Sequence, residues 1–476
     1  MKNGVVRAMR RNHRPVGPTP VSPPAVPSVM ETLAGYVSSA LRKPLPPEVA
    51  EKTKHHLLDT LGAMVSGSRL LPGRMAISFV KTLGGTREAT VVGSRIVTSA
   101  INAALANGML GHADETDDSH PQGCLHPGCG IVAGALAMAE SRRRGGTELL
   151  RAVALGYDIG ARLTLSLNAR EFRADGHSTQ SFGPMFGAAV AAGALAHLKP
   201  AQIRHVLSYT AQQASGISCW MRDADHIEKA FDFGGVGARN GVAAATMVAH
   251  GFTGVDDVFS GERNFYVAYG RAPDASELTR ELGSAFEVMN TNIKRWSVGY
   301  PIQAPLDALF ELIHTHGIKP QDVWHAVVRI SHYGANTISN RTMPDICLQH
   351  LCAVMLLDGT VTFESAHDEP RMRESKVLAM RGRVELRGDD ALERALPVHQ
   401  AIVELTLADG RKLKHHAKAA RGTGSNPMTR DDVDAKVSDL VQPVLGQRRG
   451  RALCDSIWNI EKVRDVTELR RLLRAG

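Results

Sequence analysis

Aromatic side chains make up only 5% of this 476-residue chain, and cysteines number six, at positions 124, 129, 219, 347, 352 and 454. Thiols so thinly spread exclude a disulfide-built scaffold and point to reduced cysteines in a cytoplasm. No stretch reaches the roughly 18 consecutive apolar residues that a membrane-spanning helix needs, so no membrane partner is expected. Zinc-finger spacing, aromatic RNA motifs and a helix-turn-helix pattern are all missing. The formal charge of +8 and pI near 9.2 are therefore read as a solvated surface suited to anionic small molecules, with no nucleic-acid partner. There is no Ser-His-Asp order and no phosphate loop. The glycines of "GGVGARNG" follow no strand and lack the GxGxxG spacing, which excludes a dinucleotide fold.

What the chain has instead is small residues: 45 glycines and recurrent alanine runs, which let helix axes approach closely. The first 28 residues are basic, carry prolines at 15, 18, 20, 23, 24 and 27, and contain no apolar core of a secretory signal; a disordered leader is expected there. Helical patterning starts at Val29 and runs to about residue 289, broken only by the β-like "EATVVGS" at 88–94. Residues 290–425 change character. "DVWHAVVRISHY" and "RGRVELRGD" read as strands, "AIVELTLADGRKLKHHAK" as a hairpin turning at Asp409-Gly410, and "PDICLQHLCAVMLLDG" as a helix. Helix returns over 426–476, where Thr429 and Asp432 form a capping pair. The expected fold is mainly α: a large helical domain built from both chain ends plus a smaller α/β lid.

One segment concentrates the chemistry. "GHADETDDSHPQGCLHPGCG" (111–130) holds three histidines, two cysteines and a run of carboxylates. It admits a metal site through Cys124 and Cys129, a solvated acidic loop, or an acid–base site without metal. Against the second stands its placement between two strongly apolar helices. In the third, "HPG" aims His126 and the following helix's amides at one spot, which suits a carboxylate. "DGHSTQSFGPMFGAA" sets His177 before another small-residue helix, expected to begin at Gly183-Pro184. Lys229 precedes a glycine-rich helix entry, and Lys294-Arg295 lie at the boundary of the two domains. Histidines for proton transfer and lysines for anions suit chemistry at a carbon beside a carboxylate.

Together "NGMLGHADETDDSHPQGCLHPGCG", "GHSTQSFGPMFGAA", "EKAFDFGGVGARNGVAAATMVAHGFTG", "NIKRWSVGYPIQAPLDAL" and "MPDICLQHLCAVMLLDG" resemble the MmgE/PrpD family from about residue 29 to the end. The resemblance implies a homodimer without metal or other cofactor, acting on a small di- or tricarboxylate. Members include 2-methylcitrate dehydratase, cis-aconitate decarboxylase and iminodisuccinate epimerase, so loss of water is the leading expectation, then epimerisation, then decarboxylation. The family's acidic element falls on Glu115, Asp117, Asp118 and Ser119, its two active-site histidines on His126 and His177, and its substrate-binding lysines on Lys229 and Lys294. Two departures stand out: Glu115 replaces the usual aspartate, and Gly299 or Tyr300 stands where the decarboxylase branch carries a histidine. A tyrosine of that branch is matched by His350. Catalytic roles are thus expected for His126, His177, Glu115 and Ser119, and substrate contacts for Lys229, Lys294, Asp118, Tyr300 and His350.

Overall fold

The computed structural model describes residues 28–475, and within them the chain is mainly α, with a four-stranded mixed sheet and a two-stranded antiparallel pair, Ala89–Thr90 with Val97–Thr98. The leader expected over 1–28 lies outside the described residues apart from Ser28, whose hydroxyl caps the first helix by accepting from Glu31 N–H at 3.1 Å. The helices that position the site are α1 (Pro47–Gly67), α2 (Ala100–Gly111), α3 (Pro127–Ser141), α4 (Gly146–Ser166), α5 (Thr179–Leu195) and α6 (Val236–Ala249). Further along come α7 (Leu348–Asp358) and α8 (Arg430–Leu445).

Helices α3 and α5 are buried along nearly their whole length. A helix apolar on every face is stable only when other helices surround it, and the alanines and glycines of α3, α5 and α6 keep that packing tight. α5 begins at Thr179, five residues ahead of Pro184 rather than at it. Pro184 instead packs against α3, where a Cβ on Gly130 would lie 2.6 Å from its ring. The glycines before α6 serve packing as well. Phe231–Gly235 forms a π-helical turn pressed against α2, and a Cβ on Gly234 would collide with the Gly108 carbonyl.

One hydrophobic core runs from Met30 through Ile293 and takes up Met428–Leu473 from the C-terminal segment. α8, capped by Thr429 with Asp432, lies on α1, and its Lys436 reaches Asp59 at 2.5 Å and the Thr116 carbonyl at 2.9 Å. A second core, Trp296–Ala420, holds the sheet. Its strands are β1 (Val323–Ile330), β2 (Val384–Gly388), β3 (Ala401–Leu407) and β4 (Lys412–Ala417), in the order β2-β1-β3-β4. β1 pairs parallel to β2 and antiparallel to β3, while β3 and β4 form the hairpin that turns at Asp409-Gly410. Apolar and polar positions alternate along β3, with one face in the second core against the helix Gln303–His316. Among the described residues no helix is long and apolar enough to cross a membrane.

Candidate active site

The loop between α2 and α3 is almost wholly buried, so it is no solvated acidic face. Its two adjacent carboxylates point to opposite tasks. Asp118 is filled by the protein: it accepts from His56 Nδ1 at 2.6 Å, Tyr157 OH at 2.7 Å and Gly128 N–H at 3.0 Å. The α3 N-terminus, expected to meet a substrate carboxylate, is thus satisfied by Asp118 itself. Gly128 is required there, because a Cβ would come within 2.8 Å of Asp118 Oδ1 and closer still to Thr60 and Tyr157. Asp118 is therefore a buried anchor of the loop and not a free substrate ligand.

Asp117 faces the other way. Its Oδ1 receives His112 Nδ1 at 2.9 Å and His126 Nδ1 at 3.1 Å, while Oδ2 has no partner. A carboxylate behind Nδ1 holds each proton there and leaves Nε2 with its lone pair. Burial opposes the Asp117 charge, but His112 and His126 outweigh it and hold its carboxyl well below the usual range. Burial holds the His112 ring neutral, its pKa lowered to about 4. The rings of His112 and His126 meet edge to face at 5.1 Å, and Phe233 stacks on His112 at 4.0 Å.

Lysines from two other segments converge here. Lys229 ion-pairs with Glu115 through Oε1, its ammonium 5.2 Å from the Phe233 ring centre. Lys294 donates to the Glu115 carbonyl at 2.6 Å and stands 3.6 Å from Glu115 Oε2 and 3.8 Å from Asp117 Oδ1. Burial would raise the Glu115 carboxyl, yet the two lysines hold it well below its ordinary value. Lys294 is placed by a short backbone pairing two residues earlier, in which Ser119 and Asn292 exchange N–H···O bonds at 2.9 and 2.8 Å. The Ser119 hydroxyl beside that pairing is buried without a partner. Tyr300 accepts from the same Asn292 through its OH at 2.8 Å, and burial pushes the phenol up to about 12.

His177 and His350 are not brought into this cluster. The His177 ring stacks on Phe172 at 4.4 Å and meets Phe182 and Tyr269 edge-on, sharing no aromatic neighbour with His112 or His126. His350 is buried within the second core with both ring nitrogens unpartnered. Burial lowers its pKa to about 4, with Arg381, Arg371 and Asp368 as its charged surroundings. Neither Lys229 nor Lys294 is among those charged surroundings. Conversely, three neighbours were not singled out by motif: His112, His226 and the lid's His367. His367 Nε2 lies 2.9 Å from Asp114 Oδ2, one residue before Glu115, so the lid grips the loop directly. His112 carried a signal, five residues ahead of Asp117 at a helix end; the other two carried none in the sequence.

Neither cysteine of the metal reading belongs to a cluster of candidate ligands among the described residues, although Cys129 lies beside Asp117. Cys129 Sγ faces the His126 and Phe233 carbonyls, and Cys124 is half-buried at a turn. Two other trios, His112–Glu115–His226 and His112–Asp117–His126, each bring donor atoms within 4.8 Å. Their carboxylates also carry Lys229 and Lys294 as counter-charges.

Buried imidazoles backed by a carboxylate, with two lysines beside them, are the layout of an acid–base enzyme for anionic substrates. The chain belongs to the MmgE/PrpD family: residues 31–278 match its N-terminal domain and residues 296–460 its C-terminal domain. It is 24% identical to the cis-aconitate decarboxylase of Homo sapiens over 466 residues, covering 94% of this chain and 95% of that protein. It is also 22% identical to a cis-aconitate decarboxylase-like protein of Aspergillus oryzae over 480 residues, covering 94% of this chain and 97% of that protein.

Proposed function

We propose that the chain is a lyase that removes a proton α to a carboxylate of a small di- or tricarboxylate, with water as the leaving group. The observation that supports this most strongly is the Asp117 carboxylate shared by His112 and His126, 3.8 Å from Lys294. In this reading His126 is the base. Its Nε2 lone pair takes the α-proton, and Asp117 stabilises the imidazolium that results. The electron pair moves toward the substrate carboxylate, where Lys229 and Lys294 meet the growing charge. To do so Lys229 moves from the Glu115 carboxylate to that of the substrate, leaving Lys294, 3.6 Å from Glu115 Oε2, as the counter-charge of Glu115. In this reading the departing hydroxide takes the abstracted proton back from His126 and leaves as water, hydrogen-bonded by the otherwise unpartnered Ser119 hydroxyl.

Decarboxylation is the second reading, favoured by the names of the relatives. Against it, Gly299 or Tyr300 stands where the decarboxylase branch carries a histidine and His350 where it carries a tyrosine, which favours elimination.

The test is incubation with a panel of hydroxy-, methyl- and unsaturated di- and tricarboxylates in deuterated water, followed by NMR. New vinyl signals with loss of the α-proton support elimination. Deuterium uptake without a new product means epimerisation, and loss of a carboxyl carbon means decarboxylation. Intact substrates throughout would refute the proposal.

A further inference from the structure

His226 is 6% exposed and adopts φ 60°, ψ 15°, a left-handed backbone that residues with a Cβ rarely take. Its Nε2 has no hydrogen-bond partner although it is sealed from solvent. A buried imidazole nitrogen left unpaired and a strained backbone each raise the free energy of the fold, and no hydrogen bond to that nitrogen among the described residues offsets them. What the conformation achieves is placement. The ring sits 5.1 Å from that of His112, and donor atoms of His226, His112 and Glu115 all lie within 4.8 Å of one another. Lys229, three residues on, delivers its ammonium to the same Glu115. Burial, reinforced by Lys229 and His112, keeps the His226 pKa well below its ordinary value, so the ring is neutral and has one N–H to give.

Resting on α-proton abstraction as proposed above, we infer that His226 is a further catalytic residue, donating a ring N–H to the substrate carboxylate oxygen on which charge accumulates. The step balances without a proton from His226. The α C–H bond breaks, its proton goes to His126 Nε2, and its electron pair forms a C–C double bond to the carboxyl carbon. The displaced π pair comes to rest on the carboxyl oxygens, where the lysines and the His226 N–H meet it. A neutral imidazole is well suited to such a role because it stabilises a developing oxyanion without binding the ground-state carboxylate as strongly as a full cation would.

The experiment separates the donor from the backbone it sits on. His226→Gly relieves the left-handed strain and removes the donor; His226→Asn tolerates the same backbone and keeps an amide N–H. With whichever acid the wild-type enzyme labels in deuterated water, His226→Gly is expected to exchange about 10²–10³-fold more slowly at saturating acid, as for other oxyanion donors. KM should stay nearly constant, and His226→Asn should recover to within about tenfold of wild type. His226→Ala, slow like the glycine variant, provides the same comparison should the glycine variant fold poorly. Equal rates in wild type, Gly and Ala, or an Asn variant as slow as Gly, would overturn the inference alone. A wild-type enzyme that neither labels nor converts any of the acids would overturn the parent reading and this inference with it.

Discussion

The turns at His126 and His177 look alike in sequence, each a histidine in a polar loop leading into a helix of small residues, yet the folded chain treats them differently. His126 has the Asp117 carboxylate behind Nδ1, which fixes its tautomer and turns Nε2 outward. His177 is held by ring stacking on Phe172 with no side-chain hydrogen bond among the described residues. A carboxylate-backed imidazole is ready to act as a base, whereas a stacked one has no group to stabilise its charged form. Histidine count and helix position do not separate the two, whereas the orienting partner does, and on that ground we propose His126 rather than His177 as the base.

The contrast between Asp117 and Asp118 sharpens this, and it carries the largest effects. Asp117→Asn keeps the shape but loses the charge that orients two imidazoles; its turnover is expected to fall about 10²–10⁴-fold with thermal unfolding nearly unchanged. Asp118→Ala should do the reverse in kind. It strips the partner from buried His56, Tyr157 and the Gly128 amide, so a loss of about 3–5 kcal/mol of stability is expected in denaturant titration. If Asp117→Asn destabilised as much as Asp118→Ala while activity per folded molecule held, the division of labour would be wrong.

Adjacency along the chain could not reveal that division. The acidic element, His126, Lys229 and Lys294 were legible because each lies in a compact motif, and the fold brings them together. The two-core organisation was legible from the change of period near residue 290. The direction in which a side chain points was not, since tertiary packing sets it: Asp118 turns inward because Gly128 leaves room, and His350 is buried with both ring nitrogens unpartnered. His226 was invisible for a similar reason, as a left-handed residue has no sequence signal unless it is glycine or asparagine.

Smaller effects test the lysines and the lid. Lys229→Ala removes one charge-assisted contact, so KM should rise about 10- to 100-fold while kcat changes less. An unchanged KM would remove Lys229 from the substrate. For the lid, His367 faces Asp114, Asp345 and Asp439, with Nδ1 on the Phe363 carbonyl at 2.7 Å. Burial opposes its charge, but Asp114 and Asp345 outweigh it and raise the pKa to about 9. Because the folded value lies above the unfolded value of about 6.5, the pair's stabilisation is complete below pH 6.5 and is lost as pH rises through about 9. The melting-temperature gap between wild type and His367→Gln should shrink over that window. A gap that widens with pH would reverse the sign of the assignment.

The most direct test of the central claim, that the carboxylate-backed histidine is the base, compares α-proton exchange into solvent deuterium for His126→Asn and His177→Asn, using the acid that the wild-type enzyme labels. Exchange is expected to fall about 10²–10⁴-fold for His126→Asn and at least tenfold less severely for His177→Asn. Near-normal exchange in His126→Asn, with exchange abolished in His177→Asn, would contradict it.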